Sequence, residues 1–394
     1  MTRIVITGYG VKAPGVSNRD EFRKVLEKGI CTQEVLQGIG PKNSSIVCGV
    51  IHENFEIISG KKYNRYPRVS QLAIAATVDA VEMAGLHNLN DCRIAVIIGT
   101  STGGYREFES SITYTTNDTY DNFPYWTAGL VNMHSVSSAV AAHLGIKPQA
   151  FTLSTGCTAS TDAVLMGQLL LESNKADVCI VGGAETPLSR IVIYSLARLN
   201  LLPIDKDVNQ SGVPFSSKHN GFVISEGAGV LILEREVDAV SRKAPILGVI
   251  HPVSTNNDGV SINGMDRTGK TMISALKNAI GDITPTYLNS QALGLKDNDR
   301  IDSIAHQTLF GTSIPITSIK GMIGHAFGAS GALQIISSLL SIEHGFIPPT
   351  IKSSGEGYSH LPIVFQTRYC EVSHVAITSH GYGGNNACVL LSKY

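Results

Sequence analysis

Residues Ser154-Thr155-Gly156-Cys157-Thr158-Ala159-Ser160 read STGCTAS and follow the apolar run Phe151-Thr152-Leu153. Residues 160–172 carry the apolar spacing of a buried helix, so the stretch reads as a strand-to-helix turn. Glycine at 156 permits the tight approach such a turn needs. A helix start offers free N–H groups and partial positive charge, which favour a thiolate. An isolated cysteine is nevertheless more often a small buried residue than a nucleophile. The surrounding sequence has to decide.

Upstream, residues 3–7 read as a strand closed by Gly8-Tyr9-Gly10, and residues 66–85 have helical apolar spacing that ends at a glycine. Residues 93–98 form an apolar run of strand length that breaks into the small-residue turn 99–104. Downstream, residues 178–181 read as a buried strand ending in Gly182-Gly183. A strand at 229–233 precedes a charged stretch, 234–243, which predicts a boundary between halves at 1–240 and 241–394. The order then recurs. A strand at 246–250, helices at 270–280 and 301–310, and a strand at 314–319 ending on Lys320 lead into a glycine-rich turn and helix at 321–340. The last strands, 375–378 and 387–391, flank Gly381-Tyr382-Gly383-Gly384. Alternating strands and helices, several apolar throughout, predict α/β layers with sheets covered on both faces.

Composition narrows the class. The 394 residues are 43% hydrophobic and 16% charged, which suits a large core and argues against disorder. A net charge of −1 gives no general attraction to nucleic acid or to anionic membranes. The seven cysteines are scattered, odd in number and form no CxxC, which argues against a disulfide framework or structural zinc and for a reducing compartment. The opening MTRIVITGYGV lacks the regions of a signal peptide, and no run of about 18 apolar residues exists to span a membrane. A cytoplasmic protein is expected.

Two further motifs carry chemistry. In GMIGHAFGASG, residues 321–331, His325 stands at the mouth of a glycine-rich turn, a place that suits a proton shuttle or a donor to a carbonyl. A histidine bonding the backbone at a helix end is the plainer alternative. In SHGYGGNNA, residues 379–387, the glycines allow backbone N–H groups to turn inward as an oxyanion hole, against the alternative of a simple turn.

Together STGCTAS, VGGAETPLS (181–189), GFVISEGAGVLILE (221–234), SIKGMIGHAFGASG (318–331) and SHGYGGNNACVLL (379–391) resemble the β-ketoacyl-acyl-carrier-protein synthases of the elongating type I/II branch. The resemblance runs in order over nearly the whole chain, and STGCTAS resembles the type II polyketide ketosynthases more than the housekeeping fatty-acid enzymes. It implies the thiolase fold, an αβαβα layering of two related halves. It also implies that Cys157 takes an acyl group from a carrier-protein thioester. The N–H groups of Cys157 and Tyr382 would then hold the oxyanion, with Tyr382 where the family usually has a gating phenylalanine. His325 would bond the malonyl thioester carbonyl, and Lys320 and Glu226 match supporting charged positions. No metal or organic cofactor is implied. The expected partners are phosphopantetheine-linked carrier proteins and a second ketosynthase subunit, as homodimer or heterodimer.

One position departs. The family motif YVNAHGTSTPLND aligns without a gap on residues 287–299, and its histidine falls on Gln291. Glutamine keeps an N–H₂ donor but cannot exchange a proton near neutrality. His306 and His380 are candidates to substitute, His380 the better because it replaces a usual phenylalanine close to Tyr382. Three readings follow: a condensing enzyme of fatty-acid or polyketide type, a non-elongating transacylase, or a chain-length-factor-like partner. The last is disfavoured by the presence of Cys157. A thiolase proper is disfavoured because Cys388 is followed by Val389 and Leu390 rather than by the CxG pattern.

Overall fold

The computed structural model describes residues 2–53, 66–218 and 220–394. Ten strands lie side by side in the order Ile316–Thr317, Tyr287–Asn289, His374–His380, Asn385–Ser392, Gly248–Ile250, Ile4–Lys12, Gly227–Arg235, Val178–Glu185, Ile94–Gly99, Gln149–Leu153. Ser254–Asn257 pairs with Asn385–Ser392 off this path. Starting from Ile4–Lys12, the successive pairings are antiparallel, antiparallel, parallel and parallel. Starting from its neighbour Gly248–Ile250 and moving the other way, they are the same four in the same order. The two halves are thus built alike.

Side-chain alternation along the strands makes the layers. In the first half Ala95, Ile97, Cys179, Val181, Leu231 and Leu233 share one core with the helices Ala159–Glu172 and Ser330–His344. The alternate residues Val96, Ile98, Ile180, Val230 and Ile232 pack on Arg68–Met83 and Ser135–Leu144. In the second half Val375, Ile377, Val389 and Leu391 join the shared core. There Ala376, Cys388 and Leu390 face Lys270–Ile280 and Lys296–Phe310. The stack is helix, sheet, helix, sheet, helix, as the resemblance implied. In the middle layer the helices meet closely: a Cβ on Gly331 would lie 2.0 Å from Thr161 Oγ1.

Most sequence expectations hold to within a few residues. The predicted strand 314–319 is the exception, because only Ile316–Thr317 pairs and Lys320 opens a short helix, Lys320–Ile323. Pro315 has no N–H to give a ladder, and Ser318 Oγ accepts from Lys320 N at 3.3 Å, which starts the turn early. The charged stretch after residue 233 extends the strand to Arg235 and then forms the helix Glu236–Ser241. Glu234 is buried because Arg242 reaches back to it at 2.5 Å.

Candidate active site

The strand Gln149–Leu153 ends in a 3₁₀ turn, Gly156–Thr158, that runs directly into Ala159–Glu172. Gly156 has φ +70°, a left-handed conformation that glycine adopts without strain. The hydroxyls of Thr155 and Thr158 donate to Asp162 in the first helical turn, and Asn385 Nδ2 donates to the Thr155 carbonyl at 2.9 Å. These bonds fix Cys157 at the head of the helix.

His325 arrives from the other half. Its Nε2 lies 3.2 Å from Cys157 Sγ, and Ser330 Oγ lies 2.9 Å from its Nδ1. The ring stacks on Phe327 and takes Phe222 edge-on, while its backbone pairs with Val223 and Ser225. Burial, then Lys320 and His380, push its proton affinity well below 6.5, so the imidazole is neutral. Cys157 remains partly open to solvent. Burial nevertheless pushes the thiol up to about 12, and Lys320 and the backbone N–H oppose this only in part. Burial thus opposes the thiolate that the helix start favours. Cysteine and histidine thus meet at hydrogen-bond distance, the arrangement of a thiol beside a base.

Lys320 is buried beside them, drawn down to about 7 by desolvation although Asp302, Cys157 and Asp299 oppose the shift. Its Nζ donates to Gln334 Oε1 at 3.1 Å, and Gln334 Nε2 donates to the carbonyls of Asn289, Ser290 and Thr378. Glu226, expected to support the site, turns the other way. Its carboxylate takes Arg68 at 2.7 and 3.0 Å and Ile51 N at 3.0 Å, because a bidentate guanidinium is the stronger partner.

Gln291 is buried and close by. Its backbone N–H donates to Thr378 Oγ1 at 3.2 Å, and its Nε2 donates to the His380 carbonyl at 3.1 Å. The next residue, Gly381, packs against Cys157: a Cβ there would lie 2.8 Å from Cys157 Sγ. His380 itself places Nε2 3.2 Å from Asp302 Oδ1 and Nδ1 3.5 Å from Asn298 Nδ2. His306 does not join them, since its Nε2 meets the Ile314 carbonyl at 2.6 Å. Tyr382 lines a cavity of about 710 Å³ with Val260, Arg267, Lys296, Asn298 and Arg300. Burial, Asp297 and Cys157 raise its phenol to about 12.

Sequence reading missed Ser330, Gln334, Asn298 and Asp302. Asn298 and Asp302 stand four apart on one helix face and were findable by that spacing. Among the described residues no group of three or more His, Cys, Asp or Glu could hold a metal ion, and no helix is long and apolar enough to cross a membrane.

Comparison with known proteins shows the family. Residues 1–239 match the family model "Beta-ketoacyl synthase, N-terminal domain", and residues 247–354 match "Beta-ketoacyl synthase, C-terminal domain". The chain belongs to the β-ketoacyl synthase family. It is 29% identical over 420 residues to the tetracenomycin polyketide synthase ketoacyl synthase alpha subunit of Streptomyces glaucescens, covering 99% of this chain and 97% of that one. It is 28% identical over 409 residues to 3-oxoacyl-[acyl-carrier-protein] synthase 2 of Staphylococcus aureus, covering 100% and 98%. The ishigamide ketosynthase/chain length factor superposes with a TM-score of 0.91 at 25% identity, covering 100% and 99%. A ketosynthase in complex with its chain length factor from Xenorhabdus doucetiae gives 0.86 at 26%, covering 100% and 98%.

Proposed function

We propose that Cys157 accepts an acyl group from a carrier-protein thioester and that the chain condenses it with a malonyl thioester, in fatty-acid or polyketide biosynthesis. The observation that carries this is the 3.2 Å contact between Cys157 Sγ and His325 Nε2. As the sulfur attacks the thioester carbonyl, its proton passes to Nε2 and the carrier thiol leaves. The oxyanion that forms in between is held by the N–H groups of Cys157 and Tyr382. The malonyl group then loses carbon dioxide. Its enolate oxygen is held by His325 and by the N–H of Gln291 not spent on His380, while its carbon attacks the acyl carbonyl and expels Cys157. Lys320, drawn down to about 7 by burial, favours negative charge at both stages when protonated.

The halves divide at residues 240 and 241. The partners of this reading are a phosphopantetheinyl carrier protein, entering past Tyr382, and a second ketosynthase-type subunit. The cytoplasm is the compartment, in keeping with seven free cysteines. A second reading, transacylation without elongation, is favoured by one observation: Gln291 cannot exchange a proton where the family carries histidine.

Intact mass after incubation with acyl-carrier protein, then with malonyl-carrier protein, separates these readings. Acylated Cys157 followed by a β-ketoacyl product is the expected result. Acylation without product selects transacylation, and no acylation overturns the nucleophile and leaves the partner role.

A further inference from the structure

Among the described residues, His325 has one hydrogen-bond partner at each ring nitrogen. Nε2 lies 3.2 Å from Cys157 Sγ, and Nδ1 lies 2.9 Å from Ser330 Oγ. Phe327 stacks on the ring at 5.0 Å and Phe222 meets it edge-on at 5.5 Å, and neither offers a hydrogen bond. His325 is 3% exposed and Ser330 4%, so bulk water does not stand in for the hydroxyl. The backbone brings the two together. Phe327 holds φ +39°, a left-handed value that a residue with a side chain adopts at a cost, and the chain folds back there. Ser330, five residues after the histidine, then opens the helix Ser330–His344. Helical serines commonly give their hydroxyl to a carbonyl of the preceding turn, as Ser337 and Ser338 do to the Gln334 carbonyl, both at 2.8 Å. Ser330 makes no such bond among the described residues. Its hydroxyl is left to the imidazole.

The nitrogen that carries a histidine's proton is set by what the other nitrogen meets. His306 shows the fixed case. Its Nε2 lies 2.6 Å from the Ile314 carbonyl, which can only accept, so the proton sits on Nε2. A hydroxyl accepts as well as donates, so Ser330 lets His325 carry its one proton on Nδ1. That is the form in which Nε2 offers a lone pair to the thiol.

We propose that Ser330 is a positioning residue: its Oγ accepts from His325 Nδ1–H and so keeps Nε2 free to take the Cys157 proton. This rests on the acyl-enzyme reading above. As Sγ bonds to the thioester carbon, its proton passes to Nε2, and Nδ1–H stays on Ser330 Oγ. The carbonyl electron pair moves to oxygen and returns as the bond to the carrier sulfur breaks. That sulfur takes the Nε2 proton and leaves as a thiol, and the ring is neutral again with Nδ1–H in place. All proton traffic thus runs through the nitrogen that faces Cys157. A carboxylate in the third place would add charge. The hydroxyl orients the ring and leaves it as hard to ionise as burial, Lys320 and His380 make it.

The test has a spectroscopic and a kinetic arm, both on the full-length protein. Imidazole ¹⁵N shifts are recorded on histidine-labelled protein, with His325 assigned by the signals lost in His325→Ala. The expected wild-type result is a protonated, pyrrole-type Nδ1 and an unprotonated, pyridine-type Nε2. Ser330→Ala leaves Nδ1–H without a partner, so the proton is expected to move to Nε2. Acylation by octanoyl-N-acetylcysteamine, timed by quenched intact mass, is then expected to slow roughly 10- to 100-fold. Ser330→Thr, which keeps the hydroxyl, restores both readouts. Thermal melts check that each variant is folded, and the wild-type shifts carry the test if a variant is not. A proton on Nε2 in the wild type overturns the proposal. So does Ser330→Ala acylating at the wild-type rate, or a folded Ser330→Thr as slow as Ser330→Ala, and each of these leaves the acyl-enzyme reading intact. Wild-type protein that never loads overturns that reading and the role of Ser330 with it.

Discussion

Glu185 and His380 hold the same place in the two halves. Each ends a strand with an antiparallel neighbour on one side and a parallel one on the other. Their surroundings differ. Glu185 is fully buried, and Thr100, Ser101, Thr102 and Gly328 all donate to it. Those bonds span three segments, so the carboxylate braces the turn that precedes His325's helix against the first half. His380 is equally buried, yet its pair with Asp302 is misaligned and its neighbours Gln291 and Asn298 each keep an unpartnered oxygen. The same scaffold position is thus saturated in one half and left open in the other. A duplicated fold can thus saturate a position in one copy and leave polar atoms unpaired around it in the other.

Removing the chemistry should have the largest effect. Cys157→Ala is expected to abolish acyl-enzyme by intact mass, and His325→Ala to slow acylation between about 100- and 10,000-fold in stopped-flow thiol release. A His325→Ala protein that acylated at the normal rate would mean that the contact with Cys157 is not the device. On the bracing side, Glu185→Ala leaves buried donors unpaired and should cost about 3 kcal/mol in urea unfolding. A cost near zero would erase the contrast between the two positions.

Lys320 gives a pH signature. Its folded pKa, about 7, lies below the unfolded value near 10.5, so between these limits the unfolded chain binds more protons. Stability held back at low pH is therefore recovered as pH rises. Wild type should gain on Lys320→Met from pH 7 to 10, by at most about 1.4 kcal/mol per unit. Denaturant midpoints across that range measure it, and parallel curves would show that Lys320 stays charged. The smallest effect is expected for Gln291→His, which should raise malonyl decarboxylation about tenfold, the worth of one good hydrogen bond. No change would place Gln291 outside the reacting groups.

Much of this was legible in the letters. The apolar strand runs, the turn glycines and the set of five motifs gave the layers and brought Cys157, His325, Lys320 and Tyr382 under suspicion together. Each of those signals is local, since periodicity and turn chemistry act over a few residues. What was misread depended on distance. Glu226 was assigned to the site, yet Arg68, 158 residues away in sequence, claims it. The pull of a helix start toward a thiolate is opposed by burial, which no single segment reveals. Gln334 and Asp302 sit in ordinary helical sequence, and only the packing of the helices Ser330–His344 and Lys296–Phe310 onto the sheet makes them partners of Lys320 and His380.

STGCTAS by itself determined a turn with a cysteine at the head of a helix, because glycine and small hydroxyl residues admit that backbone and little else. What stands beside the sulfur was decided by tertiary structure, since the imidazole 3.2 Å from it comes from the other half. Gln291 shows the same division. Its identity removes a proton carrier, and only the fold sets His380 and Asp302 next to the gap, with polar atoms still unpaired.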